Sequence, residues 1–184
     1  MKKTTPVFDK LLILLVALSI LAGCAAAPMK LDPNLATPQV IVEPVKISLG
    51  IARLVNDTHI VFTGRGFEPG DSVFINIVGV QKEDGVMDVP IADAVVDHAG
   101  NFSAEVTKIS KITELLLADV GLNDTMENYI IISRPPIPHG KYTIRVQSME
   151  ADKQAECSWT IDAPSVMDSI KDWIGVLLGK IEKQ

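Results

Sequence analysis

The chain has 184 residues, of which 47% are apolar and 22% charged, and its formal net charge is -6. That composition is too apolar for a disordered chain and suits one domain with small appendages. An acidic chain has no basic footprint for nucleic acid, and two cysteines build neither a disulfide scaffold nor a four-ligand zinc site. Residues 1–10 carry Lys2, Lys3 and Lys10 against Asp9, and residues 11–22 follow without a charge. A basic start and an apolar run of about 7–15 residues are the parts of a secretory signal, whereas a membrane-spanning helix needs about 20.

The block closes on Leu21, Ala22, Gly23 and Cys24. These four residues resemble the lipobox of bacterial lipoproteins. The resemblance implies diacylglyceryl transfer to the Cys24 sulfur and cleavage after Gly23. It makes residues 1–23 a lipoprotein signal peptide and Cys24 the membrane anchor, on the extracytoplasmic face of a bacterial cell envelope. Ala25, not Asp, follows the cysteine; by the family's sorting rule this favours the outer membrane where a cell has two. The competing readings are an ordinary signal peptide with a chance cysteine and an uncleaved anchor. Two or three acyl chains anchor stably, each buried CH₂ contributing about 0.8 kcal/mol. Cleavage removes three lysines and one aspartate, so the mature net charge becomes -8, and the tether is covalent, not electrostatic.

Residues 24–45 contain Pro28, Pro33, Pro38 and Pro44. Regular prolines predict an extended, semi-stiff stalk behind the lipidated cysteine. Residues 46–162 read as β. Val61–Thr63 and Val73–Val78 are rich in β-branched and aromatic residues, separated by the turn cluster Gly64–Asp71. Residues 91–97 and 102–106 flank Asp97–Asn101, which predicts a hairpin loop. In residues 141–148, Tyr142, Ile144, Val146 and Ser148 share a face. In residues 154–162, Ala155, Cys157, Trp159 and Ile161 do the same. This period of two predicts strands with one dry face and a buried Trp159.

Two stretches depart from the β pattern. Ile109, Ile112, Leu115, Leu116 and Val120 recur at helical spacing, predicting a short amphipathic helix over 109–120. Residues 165–183 predict a second helix opened by a Ser165/Asp168 capping box. Its apolar stripe is Val166, Ile170, Trp173, Ile174, Leu177 and Ile181, widened by Met167 and Leu178. The expected arrangement has this stripe docked on the domain or on the 109–120 helix, the alternatives being a bilayer surface or a partner.

The stretch His59–Ile75, with Gly64, Gly66, Phe67, Pro69, Gly70 and Val73, resembles the G-x-G-F-x-P-G-x-x-V signature of bacterial immunoglobulin-like domains of the IPT/TIG type. Val96–Ser103 and Ile137–Ile144 are similar to two further motifs of that family. The resemblance implies a mainly β fold. Specifically, it implies an immunoglobulin-like antiparallel β-sandwich over 46–162; the insertion 108–138 departs from the family pattern, and its short helix and the C-terminal amphipathic helix in 163–184 rest on their helical spacing instead. It also implies a tyrosine corner at Tyr142. Such motifs are turn and core residues and say little about activity.

Cys157 reads as a buried thiol, with an intermolecular disulfide or a reactive nucleophile as the alternatives. His59, His98 and His139 lack ligand spacing, so no metal is expected. Asp57, Asp71, Glu83, Asp84, Asp88, Asp93 and Asp97 lie in loops without the spacing of a calcium-binding loop. No catalytic motif and no cofactor fingerprint is present, so no catalytic residue and no cofactor are assigned. The leading expectation is a non-enzymatic, lipid-anchored binding or accessory module for a protein or polysaccharide. Its candidate partner-binding residues are Ile170, Trp173, Ile174 and Leu177. The alternatives are an envelope enzyme or enzyme inhibitor acting through 108–138, and a purely structural spacer.

Overall fold

The computed structural model describes residues 30–82 and 85–184; the expected signal peptide, lipobox and Cys24 anchor lie outside them. The chain is mainly β. The strands are β1 (Gln39–Glu43), β2 (Lys46–Ser48), β3 (Val61–Arg65), β4 (Ser72–Lys82), β5 (Gly85–Val95), β6 (Asn101–Glu105), β7 (Asp119–Leu122), β8 (Asn128–Ile132), β9 (Gly140–Ser148), β10 (Gln154–Asp162) and β11 (Ile181–Lys183). The helices are α1 (Ile51–Asn56), α2 (Lys108–Ser110), a π-turn (Lys111–Leu115) and α3 (Val166–Leu177).

Among the described residues these strands form three sheets. The first has the order β1-β3-β6, and the second β2-β10-β9-β4-β5. Their inner faces share one core, where the Trp159 ring from β10 meets the Phe62 ring from β3 edge-on at 6.1 Å. Burial alternates along β9 and β10 as their period of two predicts, and Trp159 is fully buried. Its indole Nε1 donates to the Pro44 carbonyl at 3.0 Å. Tyr142 donates its hydroxyl to the Pro138 carbonyl at 2.6 Å, fixing the entry to β9. Most pairings are antiparallel, but β2 runs parallel to β10 and β11 parallel to β8.

The third sheet, β11-β8-β7, joins the two stretches that depart from the β pattern. β7 and β8 belong to 108–138 and β11 to the C-terminal tail. The Lys180 ammonium meets Glu127 at 2.5 Å, and the Ile130 amide donates to the Lys180 carbonyl at 3.0 Å.

Four expectations are corrected. Residues 39–43 are not stalk: Val40 and Val42 are buried and β1 pairs with β3. Pro38 and Pro44 bracket this strand without interrupting it, which is where prolines are tolerated. The turn at 97–101 is not a hairpin, because β5 belongs to the second sheet and β6 to the first. The Asp97 carboxylate accepts from the Ala99 and Asn101 amides, both at 2.8 Å; such local chemistry makes a turn whichever sheet receives the next strand. The helix expected over 109–120 stops early. Leu117 adopts a φ of 50°, and Val120 lies on β7. The π-turn places Ile112, Leu115 and Leu116 in the core. Finally, α3 ends at Leu177. The Gly179 amide donates to Val176 and the Lys180 amide to Gly175, with Gly179 at a φ of 67°. This Schellman closure turns the chain so that Ile181 enters β11.

Candidate functional site

Helix α3 begins with the expected capping box. Ser165 Oγ accepts from the Asp168 amide at 3.1 Å, and Asp168 Oδ2 accepts from the Ser165 amide at 2.9 Å. Asp168 does more than cap. The same oxygen accepts from the Ser48 hydroxyl at 2.7 Å and the Ser165 hydroxyl at 2.7 Å, and Arg53 Nη1 stands 3.7 Å from Oδ1. Burial raises the Asp168 pKa, but these donors outweigh it and hold the carboxyl down to about 2.

One turn later, Asp172 reaches the start of α1. Its Oδ2 accepts from the Ile51 amide at 3.0 Å and its Oδ1 from the Ala52 amide at 2.8 Å. Gly50, the residue before α1, supplies no side-chain cap, so Asp172 satisfies amides that the helix leaves open. A Cβ on Gly50 would run into the Asp168 side chain, so the glycine sets the approach distance of the two segments. Lys171 pairs with Asp57 at 3.1 Å. On the same side, a Cβ on Gly175 would lie 2.6 Å from Ile181 Cδ1. Gly175 and Gly179 therefore serve close packing and helix termination.

The docked face is thus the acidic one, which corrects the expected burial of the stripe. Asp168 and Asp172 are the buried residues of α3. Val166, Met167, Ile170, Trp173, Ile174, Leu177 and Leu178 are all exposed, Trp173 at 63% and Leu177 at 71%. Carboxylates go inside here because each meets several donors, whereas of the expected stripe only Ile181, which has passed into β11, is buried. The four candidate binding residues, Ile170, Trp173, Ile174 and Leu177, therefore form one outward apolar surface. Beside it, a cleft of about 330 Å³ runs between α1 and α3, lined by Ala52, Ile130, Ile174, Leu178 and Ile181.

The remaining candidates have structural settings. Asp71 is buried and accepts from the amides of Ser72, Glu150 and Ala151, holding the β9–β10 turn. Burial raises its pKa, but those amides leave the carboxyl below its ordinary value. Asp88 meets Arg145 at 3.4 Å, while Glu83 and Asp84 lie outside the described residues. His59 Nδ1 stands 3.1 Å from Glu105 on the surface. Burial pushes the Cys157 thiol up to about 11, so it is protonated at neutral pH. Among the described residues, no three His, Cys, Asp or Glu side chains converge as metal ligands, and no helix is long and apolar enough to cross a membrane.

Sequence reasoning missed Lys111, which is buried in the π-turn and donates from Nζ to the Thr58 carbonyl at 2.5 Å. Burial lowers its pKa. Its only sequence signal is a lysine between Ile109 and Ile112.

No family model matches the chain, and no curated protein matches it. Among solved structures, it is similar to an alkylpurine DNA glycosylase, AlkC, of Pseudomonas fluorescens bound to DNA containing an abasic-site analogue. The identity is 14%, over 70% of this chain and 31% of that one, with a TM-score of 0.32. The chain spans about a third of that enzyme's length.

Proposed function

We propose that this chain is a lipid-anchored module on the extracytoplasmic face of a bacterial envelope, and that it binds a protein partner without catalysing a reaction. The lipobox-like run Leu21-Ala22-Gly23-Cys24 supports the anchor. The fold we infer is an immunoglobulin-like sandwich. The parallel β2–β10 pair, the β3–β6 pair opposite β10-β9-β4-β5, and the Tyr142–Pro138 hydrogen bond support it.

The observation that carries the binding reading is α3. A helix buries its two aspartates and turns seven large apolar side chains to solvent. An exposed apolar patch of this kind marks an interaction site, and a surface of Trp, Ile and Leu suits a protein more than a hydroxyl-rich polysaccharide. The 108–138 stretch, with Ile112, Leu115, Leu116, Ala118 and Ile137 buried, closes one end of the core and supports α3 through β8 and β11.

Two measurements test the proposal. A labelled fatty acid should enter the wild type and not Cys24→Ser. The wild type, cross-linked in intact membranes before extraction in mild detergent, should sediment as a complex, whereas Trp173→Glu/Leu177→Glu should reach the membrane equally well and sediment alone. A wild type that sediments as a lone chain would sink the binding reading.

A further inference from the structure

We infer that the partner on α3 is a second copy of this chain, the two α3 helices pairing antiparallel about a two-fold axis. This rests on the binding reading above and names its occupant. Val166, Ile170, Trp173 and Leu177 follow one another at spacings of four, three and four residues. That is the alternation along the seam of two packed helices. The flanking positions are Met167 and Ile174 on one side and Ser169 and Val176 on the other, none of them charged. The charges of α3 are engaged elsewhere, Asp168 and Asp172 with the domain and Lys171 with Asp57. A second α3 therefore meets this face without like-charge contact, although the chain as a whole is acidic. About the helix midpoint, Val166 faces Leu177 and Ile170 faces Trp173, so a smaller side chain meets a larger one at each level.

The position of the helix in the domain favours a second copy over the bilayer. The Asp32 amide donates to Gln39 Oε1 at 2.8 Å, which pins the incoming chain to the start of β1. That start pairs with Arg65, next to the 66–71 turn, and Lys153, before β10, meets Glu68 of the same turn at 3.2 Å. β10 then runs nine residues to Asp162, about 30 Å at strand rise, and α3 follows at that far end. The stretch from Cys24 to Leu31 spans about 25 Å at most when fully extended. Asp32, held at the start of β1, thus lies at the pole opposite α3. Two copies anchored in one membrane present their α3 helices at matching heights, where the membrane also raises their effective concentration. A helix of 12 residues is about 18 Å long and on its own contributes less than the roughly 800 Å² per partner of a standard interface. The pairing is accordingly weak in dilute solution and firm on the membrane.

The test uses full-length, membrane-anchored chains in a Cys157→Ala background. One tagged copy carries Ile170→Cys and the other Trp173→Cys. Oxidation in intact cells should yield mixed covalent dimers at least tenfold above dimers of either copy with itself, and Leu177→Glu in both copies should abolish them at unchanged melting temperature. Mixed and like dimers in equal trace amounts overturn the inference. If the sedimenting complex contains another protein and no second tag, the two-fold pairing fails while the binding reading stands. If Trp173 is quenched by brominated lipid and only single chains sediment, both fail.

Discussion

Asp172 on α3 caps α1 through the Ile51 amide, a contact of 3.0 Å between residues 121 positions apart. With Ala52 at 2.8 Å, one carboxylate satisfies two amides that Gly50 leaves open. Asp172→Ala should therefore destabilise the protein by about 2–4 kcal/mol, since it orphans one buried and one part-buried donor and removes an attachment of α3. Asp172→Asn keeps one acceptor and should cost less. Chemical denaturation of both variants checks the order. An Ala variant as stable as the wild type would show that α3 is held by other contacts.

The Asp168 carboxyl supplies a pH dependence. Its folded pKa is lowered to about 2 from an ordinary 3.8. A depressed carboxylate stabilises fully above its unfolded pKa and loses that contribution as pH falls through the folded value. Stability from this group should be constant above pH 5 and decline between about pH 4 and pH 2. Asp71, Asp97 and Glu127 are lowered too and act in the same direction, so the readout is a difference. Between pH 5 and pH 2.5, Asp168→Asn should lose less stability than the wild type. Parallel loss in both chains would remove Asp168 as a contributor.

The sequence disclosed what depends on local order. Alternation in β9 and β10 revealed the dry face and placed Trp159 inside, Ser165 and Asp168 marked the start of α3, and the Gly64–Asp71 cluster marked a turn, which the chain makes after Arg65 because Gly64 and Arg65 still pair in β3. It did not disclose which face of α3 is covered. A hydrophobic stripe separates two faces, but the docked one is decided by where donors stand, and those donors, Ser48 and the Ile51 and Ala52 amides, lie about 120 residues upstream. The signal was two aspartates four apart opposite the stripe, beside a Ser48-Leu49-Gly50 helix entry without a cap of its own. Ile181 continued the helical period, yet Gly179 ended the helix first and the residue paired with Ile130 in a strand. Asp97 likewise encoded a turn without encoding that β6 crosses to the other sheet.

Trp159 couples the two main sheets through its edge-on contact with Phe62 and its hydrogen bond to Pro44. Trp159→Ala should cost about 3–5 kcal/mol, as large-to-small core changes do. Trp159→Phe should cost less, retaining the aromatic contact while leaving the Pro44 carbonyl without its donor. Thermal denaturation separates the two. Equal melting points for all three chains would contradict the packing.

Gly64 sits in the middle of β3, where a Cβ would enter the Phe102 ring and lie 2.9 Å from the Gln39 carbonyl. Phe102 is wedged against Phe67, with ring centres 5.3 Å apart, so its ring has little room to retreat. Gly64→Ala should destabilise by about 1–3 kcal/mol, although Ala is no worse than Gly for strand propensity. Pairing it with Phe102→Leu, which clears the space, should recover part of the loss. A Gly64→Ala chain that melts like the wild type would show that the first sheet is looser than this contact implies.

The last prediction separates the two faces of α3. Ile170→Ser and Leu177→Ser change side chains that are about half or more exposed, so each should alter stability by no more than about 0.5 kcal/mol. Truncation after Pro164 removes Asp168, Asp172 and Ile181 together, uncaps α1 and strips β8 of its parallel partner. That chain should melt well below the wild type. Hydrogen exchange gives the same contrast within one molecule. Amides across 170–178 should exchange slowly, because the helix is fastened from its buried side at Asp168 and Asp172 and closed by Gly179, and a free helix of this length would fray. Fast exchange there, with slow exchange in β9 and β10, would mean that the aspartate contacts do not hold the helix in solution.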